Sequence, residues 1–338
     1  MNNLMLVGRN VLAAPRTRRI APVIHAGLRT ARPTLLVIIF AVLVFAMFPL
    51  AFRATNIAED FSTDPLGGGW RVHGDTSLFQ WNATNQSMDV TWDSSQTNSY
   101  FWLPLRTVLS RSDDFSLGFD LTLRDIAVGT SSGRPYTFEI AIGFLNFSNA
   151  MKTNFYRGAG QSALGPRNLV EFTYFPDSGF GATFAPTIAT TNNQILVSHN
   201  HPIEMTTDDL FHIEMNFTST NRTLRTVVTK NGASFSPMDD VVLGAASDFR
   251  CDALAIMSYS DVIQFGEPQF WGSVLAHGVV DNLVASIPES PLYNFTGTRS
   301  NQTWRAEFLS RTNWSYVLER THDLVTWTNV SVPVAGNG

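Results

Sequence analysis

From Glu59 to about Pro288 the chain alternates apolar and polar residues in period two, with turn residues every eight to twelve positions. A helix returns to the same face every ~3.6 residues and a strand every second one, so this run can only bury itself as half-covered strands. Phe115–Leu123, Tyr136–Phe144, Leu169–Phe175, Leu210–Phe217, Leu224–Thr229 and Ala253–Tyr259 carry the alternation. Phe79 and Trp81, then Met88, Val90 and Trp92, flank an Asn85-Gln86 turn and read as a hairpin. Asn231-Gly232 marks a second hairpin, because both residues tolerate the positive φ of a tight turn. Short strands at this spacing predict an all-β sandwich.

Upstream, no charge occurs between Arg32 and Arg53, and the 19 residues Thr34–Phe52 are almost wholly apolar. As a helix they would reach ~28 Å, enough to span a bilayer. Seven arginines precede the first acid, Glu59, and by the positive-inside rule they hold residues 1–33 in the cytoplasm and send the rest across. Residues 34–54 are thus expected to be either a cleaved signal peptide or a retained anchor, with membrane association through residues 34–52 in the second case. The expected location of the folded part is extracellular or in the cell envelope.

From residue 55 onward there are 16 basic and 28 acidic residues, a net charge of −12. A face that binds nucleic acid concentrates Lys and Arg to displace counterions, so nucleic acid is not an expected partner. Cys251 is the only cysteine, which excludes an intramolecular disulfide and reads as a small buried hydrophobe.

Ala58-Glu59-Asp60-Phe61 with Gly69-Trp70 at the start, and Val280-Asp281-Asn282-Leu283-Val284 at the end, resemble the first and last strands of concanavalin A-like, laminin-G-like jelly-roll domains. The resemblance covers about residues 58–288 and implies that the two terminal strands lie side by side. It also implies a structural calcium where they meet, with Asp60 and Asp281 as ligands. Residues 289–303, with Pro291 and a polar stretch, read as a linker. Residues 304–338, with Leu318-Glu-Arg-Thr leading to Trp327-Thr328, resemble a small β module at the C-termini of secreted Verrucomicrobia-type bacterial proteins. That module normally continues past a Gly-Asn-Gly turn, so the expectation here is either an incomplete module or a truncated chain.

Motifs for catalysis are missing. Hydrolysis of β-glucans in the laminarinase-like branch of this fold uses paired carboxylates on one strand, as E-x-D-x-x-E, and no such motif occurs. Glu171 and Asp177 come closest, but Pro176 separates them, and they read as solvated carboxylates at a strand end. Gly160–Gly165 misses the G-x-S-x-G nucleophile elbow by one residue. His199 and His201 could face one side of a strand as metal ligands, yet beside Pro202 they read as a polar loop. The chain is therefore not expected to be an enzyme.

What remains are aromatic residues among amides and acids. Sugars stack flat C–H faces on rings and pair hydroxyls with carboxylates and amides. Tyr174, Phe175 and Phe180, around Asp177 in a turn-rich stretch, are the expected exposed ligand cluster, with Trp70 and Trp271 next. The expected function is an exported, non-catalytic module binding carbohydrate or another cell-surface ligand. The alternatives are a structural or adhesive envelope protein without a small-molecule site, and a divergent polysaccharide hydrolase or lyase.

Overall fold

The computed structural model describes residues 3–9, 54–157, 166–235, 238–261, 271–289, 292–300, 303–310, 315–321, 328–329 and 331–335. The apolar run 34–52 and the near-elbow 160–165 lie outside the described residues. Among the described residues no helix is long and apolar enough to cross a membrane. The chain divides into two units, residues 1–53 with 290–338, and Ala54–Glu289.

In chain order the first strand is β1 (Asn3–Arg9). The sandwich unit follows with β2 (Ala54–Glu59), β3 (Arg71–His73), β4 (Phe79–Asn82), β5 (Ser87–Asp93) and β6 (Ser99–Leu109). It continues with β7 (Phe115–Val128), β8 (Ile140–Leu145), β9 (Leu169–Phe175), β10 (Thr183–Phe184), β11 (Thr187–Ala189) and β12 (Ile195–Val197). β13 (Phe211–Thr218), β14 (Thr223–Lys230), β15 (Ala233–Ser234), β16 (Val241–Val242), β17 (Cys251–Ser258) and β18 (Val274–Pro288) complete it.

Two antiparallel sheets result. The first runs β15-β14-β13-β7-β18-β5-β4, with β16 on β14 and β2 on β18; the second runs β12-β11-β9-β8-β17-β6-β3, with β10 on β9. The predicted alternation is plainest in the first sheet, where Phe115, Leu117, Phe119, Leu121 and Leu123 of β7 are all buried. Phe119 meets Phe172 of β9 edge to face at 6.0 Å, which closes the core between the sheets. Lys230 pairs with Ala233 across Asn231 and Gly232, whose φ values of 50° and 79° make the two-residue hairpin anticipated from the sequence. β2 pairs with β18 from Ala54 opposite Pro288 to Glu59 opposite Leu283, so the terminal strands do lie side by side.

In the other unit, β19 (Leu292–Ser300) pairs with β20 (Thr303–Ser310). This corrects the linker reading of residues 289–303. Pro288 and Pro291 flank the segment rather than interrupt it, and its threonines favour extended backbone. β21 (Ser315–Thr321) pairs with β1, with β22 (Thr328–Asn329) and with β23 (Val334–Ala335). The β1 pairing joins Asn3–Arg9 to the C-terminal module, from which the sequence reading had separated them by a membrane.

Candidate functional site

The second sheet has an outward face that is covered rather than wet, and its polar groups gather there. Along β9, Phe172 points into the core, so by alternation Glu171 and Thr173 point outward. Register sets their neighbours on the same face: Gly143 lies opposite Glu171, Ala141 opposite Thr173, and Ala255 and Met257 of β17 continue the two rows. Tyr100 and Trp102 of β6 end them. Small residues thus form a floor with Tyr100 and Trp102 on one side and Glu171 on the other.

Over that floor lies a buried charge cluster. Glu171 has no solvent exposure, and its Oε1 accepts from Arg157 Nε while its Oε2 accepts from the Tyr259 hydroxyl at 2.7 Å. Glu139 Oε1 also lies 3.5 Å from Arg157 Nε but makes no hydrogen bond. Two carboxylates share one guanidinium away from water, so one of them does best by keeping its proton. Burial pushes the Glu139 carboxyl up to about 7; Arg157 opposes the rise and Glu171 adds to it. Burial works against the charge on Arg157, but Glu171 and Glu139 outweigh it and Arg157 stays charged. Burial also raises the Tyr259 and Tyr100 hydroxyls, keeping both as donors.

The sequence-predicted residues fall in several places. Tyr174 is not exposed: it shows 1% of its surface, packs edge to face on Phe184 at 5.5 Å, and its hydroxyl accepts from the Met205 amide at 3.1 Å. It lies on the core-facing row of β9, which runs through to Phe175 before the turn begins. Trp70 is also core, stacked on Phe101 at 4.7 Å with its indole N–H donating to Glu59. Glu171 is corrected from a solvated carboxylate to a buried, ion-paired one.

The backbones of Asp177, Gly179 and Trp271 meet around one strip, Tyr136–Thr137, with the Trp271 indole nitrogen buried. The Trp271 carbonyl accepts from the Tyr136 amide at 3.3 Å, and the Asp177 carbonyl accepts from the Thr137 amide at 3.0 Å. Gly179 packs so closely on Tyr136 that an added Cβ would lie 2.9 Å from its ring. Phe180 is 64% exposed, its ring 5.9 Å from that of His201. The Ser178 hydroxyl donates to the Gly181 carbonyl at 2.9 Å and pins this turn. Phe175 is half-buried. The strip leads in two residues to Glu139, so the exposed rim adjoins the covered cluster.

Asp60 and Asp281 feel one another across the terminal strands: burial first, then Asp120 and Asp60, raise the Asp281 carboxyl. Asp120 is already engaged, with Asn282 Nδ2 donating to it at 2.8 Å and His212 Nδ1 2.7 Å away. Among the described residues no group of three His, Cys, Asp or Glu is arranged to hold a metal, and His199 and His201 are included in that.

The sheet order and adjacent terminal strands are those of a concanavalin A-like jelly-roll sandwich. Solved structures similar to the chain include peanut lectin with a 9mer peptide, at 10% identity and a TM-score of 0.42 over 70% of this chain and 99% of that one. The Bauhinia forficata lectin in complex with GalNAc is similar at 10% identity and a TM-score of 0.40, over 70% and 100%. An alginate lyase is similar at 11% identity and a TM-score of 0.37, over 68% and 96%. Likeness at this level carries no argument about function. No protein-family model matches the sequence, and no curated protein does.

Proposed function

We propose that this chain is an exported, carbohydrate-binding jelly-roll protein whose recognition site is the rim formed by Phe180, His201, Asp177, Tyr136 and Trp271. The observation that carries the reading is Phe180. A phenyl ring that is 64% exposed on a turn pinned by its own hydrogen bonds has no core to fill, yet is held ready for stacking. Asp177 beside it is exposed and can accept sugar hydroxyl protons. A glycan array with the purified protein and with Phe180→Ala tests this. Stacking of about 1 kcal/mol predicts a several-fold loss of binding with the fold intact. Equal array signals from both proteins would remove Phe180 from the site.

A second reading, cleavage of a polysaccharide, is favoured by one observation: Glu139 and Glu171 reach the same guanidinium, and burial raises the Glu139 carboxyl. Retaining glycosidases use an acid and a nucleophile ~5 Å apart in this way. Arg157, however, sits between the carboxyl groups where a scissile bond would have to lie. Release of reducing ends that is lost in Glu171→Gln would favour this reading over the first.

A further inference from the structure

The segment that covers the outward face has its own architecture. Leaving β8, Asn146 caps a single helical turn, Phe147–Ala150, by accepting from the Asn149 amide at 3.0 Å. Asp252 on β17 accepts from the Phe147 amide at 2.8 Å. The Phe147 ring stacks on Trp102 of β6 at 3.6 Å, and the Tyr100 hydroxyl donates to the Ala150 carbonyl at 3.2 Å. Further on, Asn98 Nδ2 donates to the Phe155 carbonyl at 3.0 Å, and the Phe155 ring meets Tyr259 at 6.3 Å. The segment ends with Arg157 between Glu171 and Glu139. Twelve residues thus cross the sheet from β6 to β9, held by the Asp252 carboxylate at the near end, by ring and amide contacts along their length, and by the Arg157 ion pairs at the far end.

We propose that Asn146–Arg157 is a strap over a continuation of the glycan groove, latched by Arg157 while Glu139 holds its proton and released when that proton is lost. The geometry explains the dependence. With Glu139 neutral, one carboxylate and one guanidinium balance under the strap. With it ionised, two carboxylates face one guanidinium without water, and the cheapest relief is to let water in from the Arg157 end. The groups that face Glu139 give no other relief. They are Arg157 itself, Glu171 from β9 and, around Glu171, the Tyr259 and Tyr100 hydroxyls, which stay protonated. His199 lies within electrostatic reach of Arg157, and burial, then His201, then Arg157 lower its basicity, so it supplies no compensating cation.

The face beneath suits a sugar chain, a statement that rests on the carbohydrate-binding reading above. Ala141 and Ala255 present only methyl groups beneath the strap, with Met257 beside them; Tyr100 and Trp102 supply rings, and Glu171 supplies an acceptor once the strap is lifted. The class is a neutral glycan. Residues 54–289 hold 12 basic and 25 acidic groups, a net of −13, and the cluster itself is acidic, so a polyuronate would be repelled.

Amide hydrogen exchange of the full chain at pH 6 and pH 8.5, corrected for intrinsic rates, reads the strap directly. If an open strap returns Glu139 to its ordinary 4.5 from about 7, opening becomes roughly ten-fold more favourable over that interval. Amides of residues 147–157 should lose protection by about that factor while those of β8 and β17 stay protected, and Glu139→Gln should abolish the difference. Unchanged protection, an equal fall in Glu139→Gln, or a uniform loss across the sheet would overturn the strap. If Glu139→Gln fails to fold, Arg157→Gln takes its place: an unlatched strap should be weakly protected at both pH values, and retained pH dependence refutes the latch. Glycan arrays at the two pH values test the groove separately. New neutral-glycan signals at pH 8.5 support it, and an opened strap without them removes the groove but leaves the strap. Failure of Phe180→Ala to alter binding at pH 6 bears on the rim alone.

Discussion

Gly143 offers the sharpest test of how the charge cluster is built into the sheet. It lies in β8 directly opposite Glu171, and a Cβ placed on it would come 2.4 Å from the Val170 carbonyl oxygen and 2.5 Å from the Glu171 Cα. These are backbone atoms of the neighbouring strand, so no side chain can swing away; the two strands must part. Overpacking of a filled site costs ~1–3 kcal/mol, and with backbone as the obstacle Gly143→Ala belongs at the upper end, about 3 kcal/mol. For a unit of this size that lowers Tm by roughly 6–12 °C. Gly118→Ala is the internal control: it is also a strand glycine, but its added Cβ would meet only the Glu214 and His212 side chains at 3.8 Å. It should be neutral or stabilising by up to ~1 kcal/mol, through the reduced entropy of the unfolded chain. Urea unfolding followed by tryptophan fluorescence separates the two, with the m-value confirming that the midpoint shift reports stability. Gly143→Ala within 1 kcal/mol of the parent, or Gly118→Ala equally damaging, would refute the close packing beneath Glu171.

Glu139, whose carboxyl holds its proton up to about 7 in the fold against 4.5 when unfolded, contributes stability that is fully present below pH 4.5 and lost as pH rises through 7. The loss amounts to about 3 kcal/mol, and urea unfolding at pH 5 and 8.5 should show it in the parent but not in Glu139→Gln. Tyr174→Phe leaves the buried Met205 amide without its acceptor and should cost ~1–3 kcal/mol in thermal unfolding, with glycan binding unchanged; a binding defect without destabilisation would return Tyr174 to the ligand site. Calcium between the terminal strands, proposed from Asp60 and Asp281, would offset the repulsion from Asp120 and Asp60 that adds to burial in raising Asp281. Millimolar calcium should then raise Tm, and either no shift or the same shift in Asp281→Asn eliminates the ion.

Alternation alone located the strands of the first sheet, because β7 and β13 have one face in the core and one in water. It misled at β9, where both faces are buried. Pro176 and Gly179 drew Tyr174 into the turn that follows it, although the strand continues through Phe175. Glu171 was placed in water as a carboxylate at a strand end before Pro176, but the strap covers its face of β9 and buries it. Glu139, Arg157 and Glu171 form no spaced motif: only the β8–β9 register and the return of the strap bring them together. Phe180 and Asp177 were legible as exposed because turn residues surround them, and Trp271 joins them through the Tyr136 strip, a link between segments 135 residues apart in sequence.

The side-by-side terminal strands also determine how the sandwich bears a load. Ala54 lies opposite Pro288 and Glu59 opposite Leu283, so the chain enters and leaves the unit at the same end of one antiparallel ladder. Tension applied through the flanking segments therefore meets the β2–β18 hydrogen bonds one rung at a time, as a zip, instead of shearing all of them together. If this unit stands between an anchored and a pulled end at a cell surface, β2 yields first and at low force. Its departure lengthens the tether and bares the edge of β18 while the two-sheet core holds.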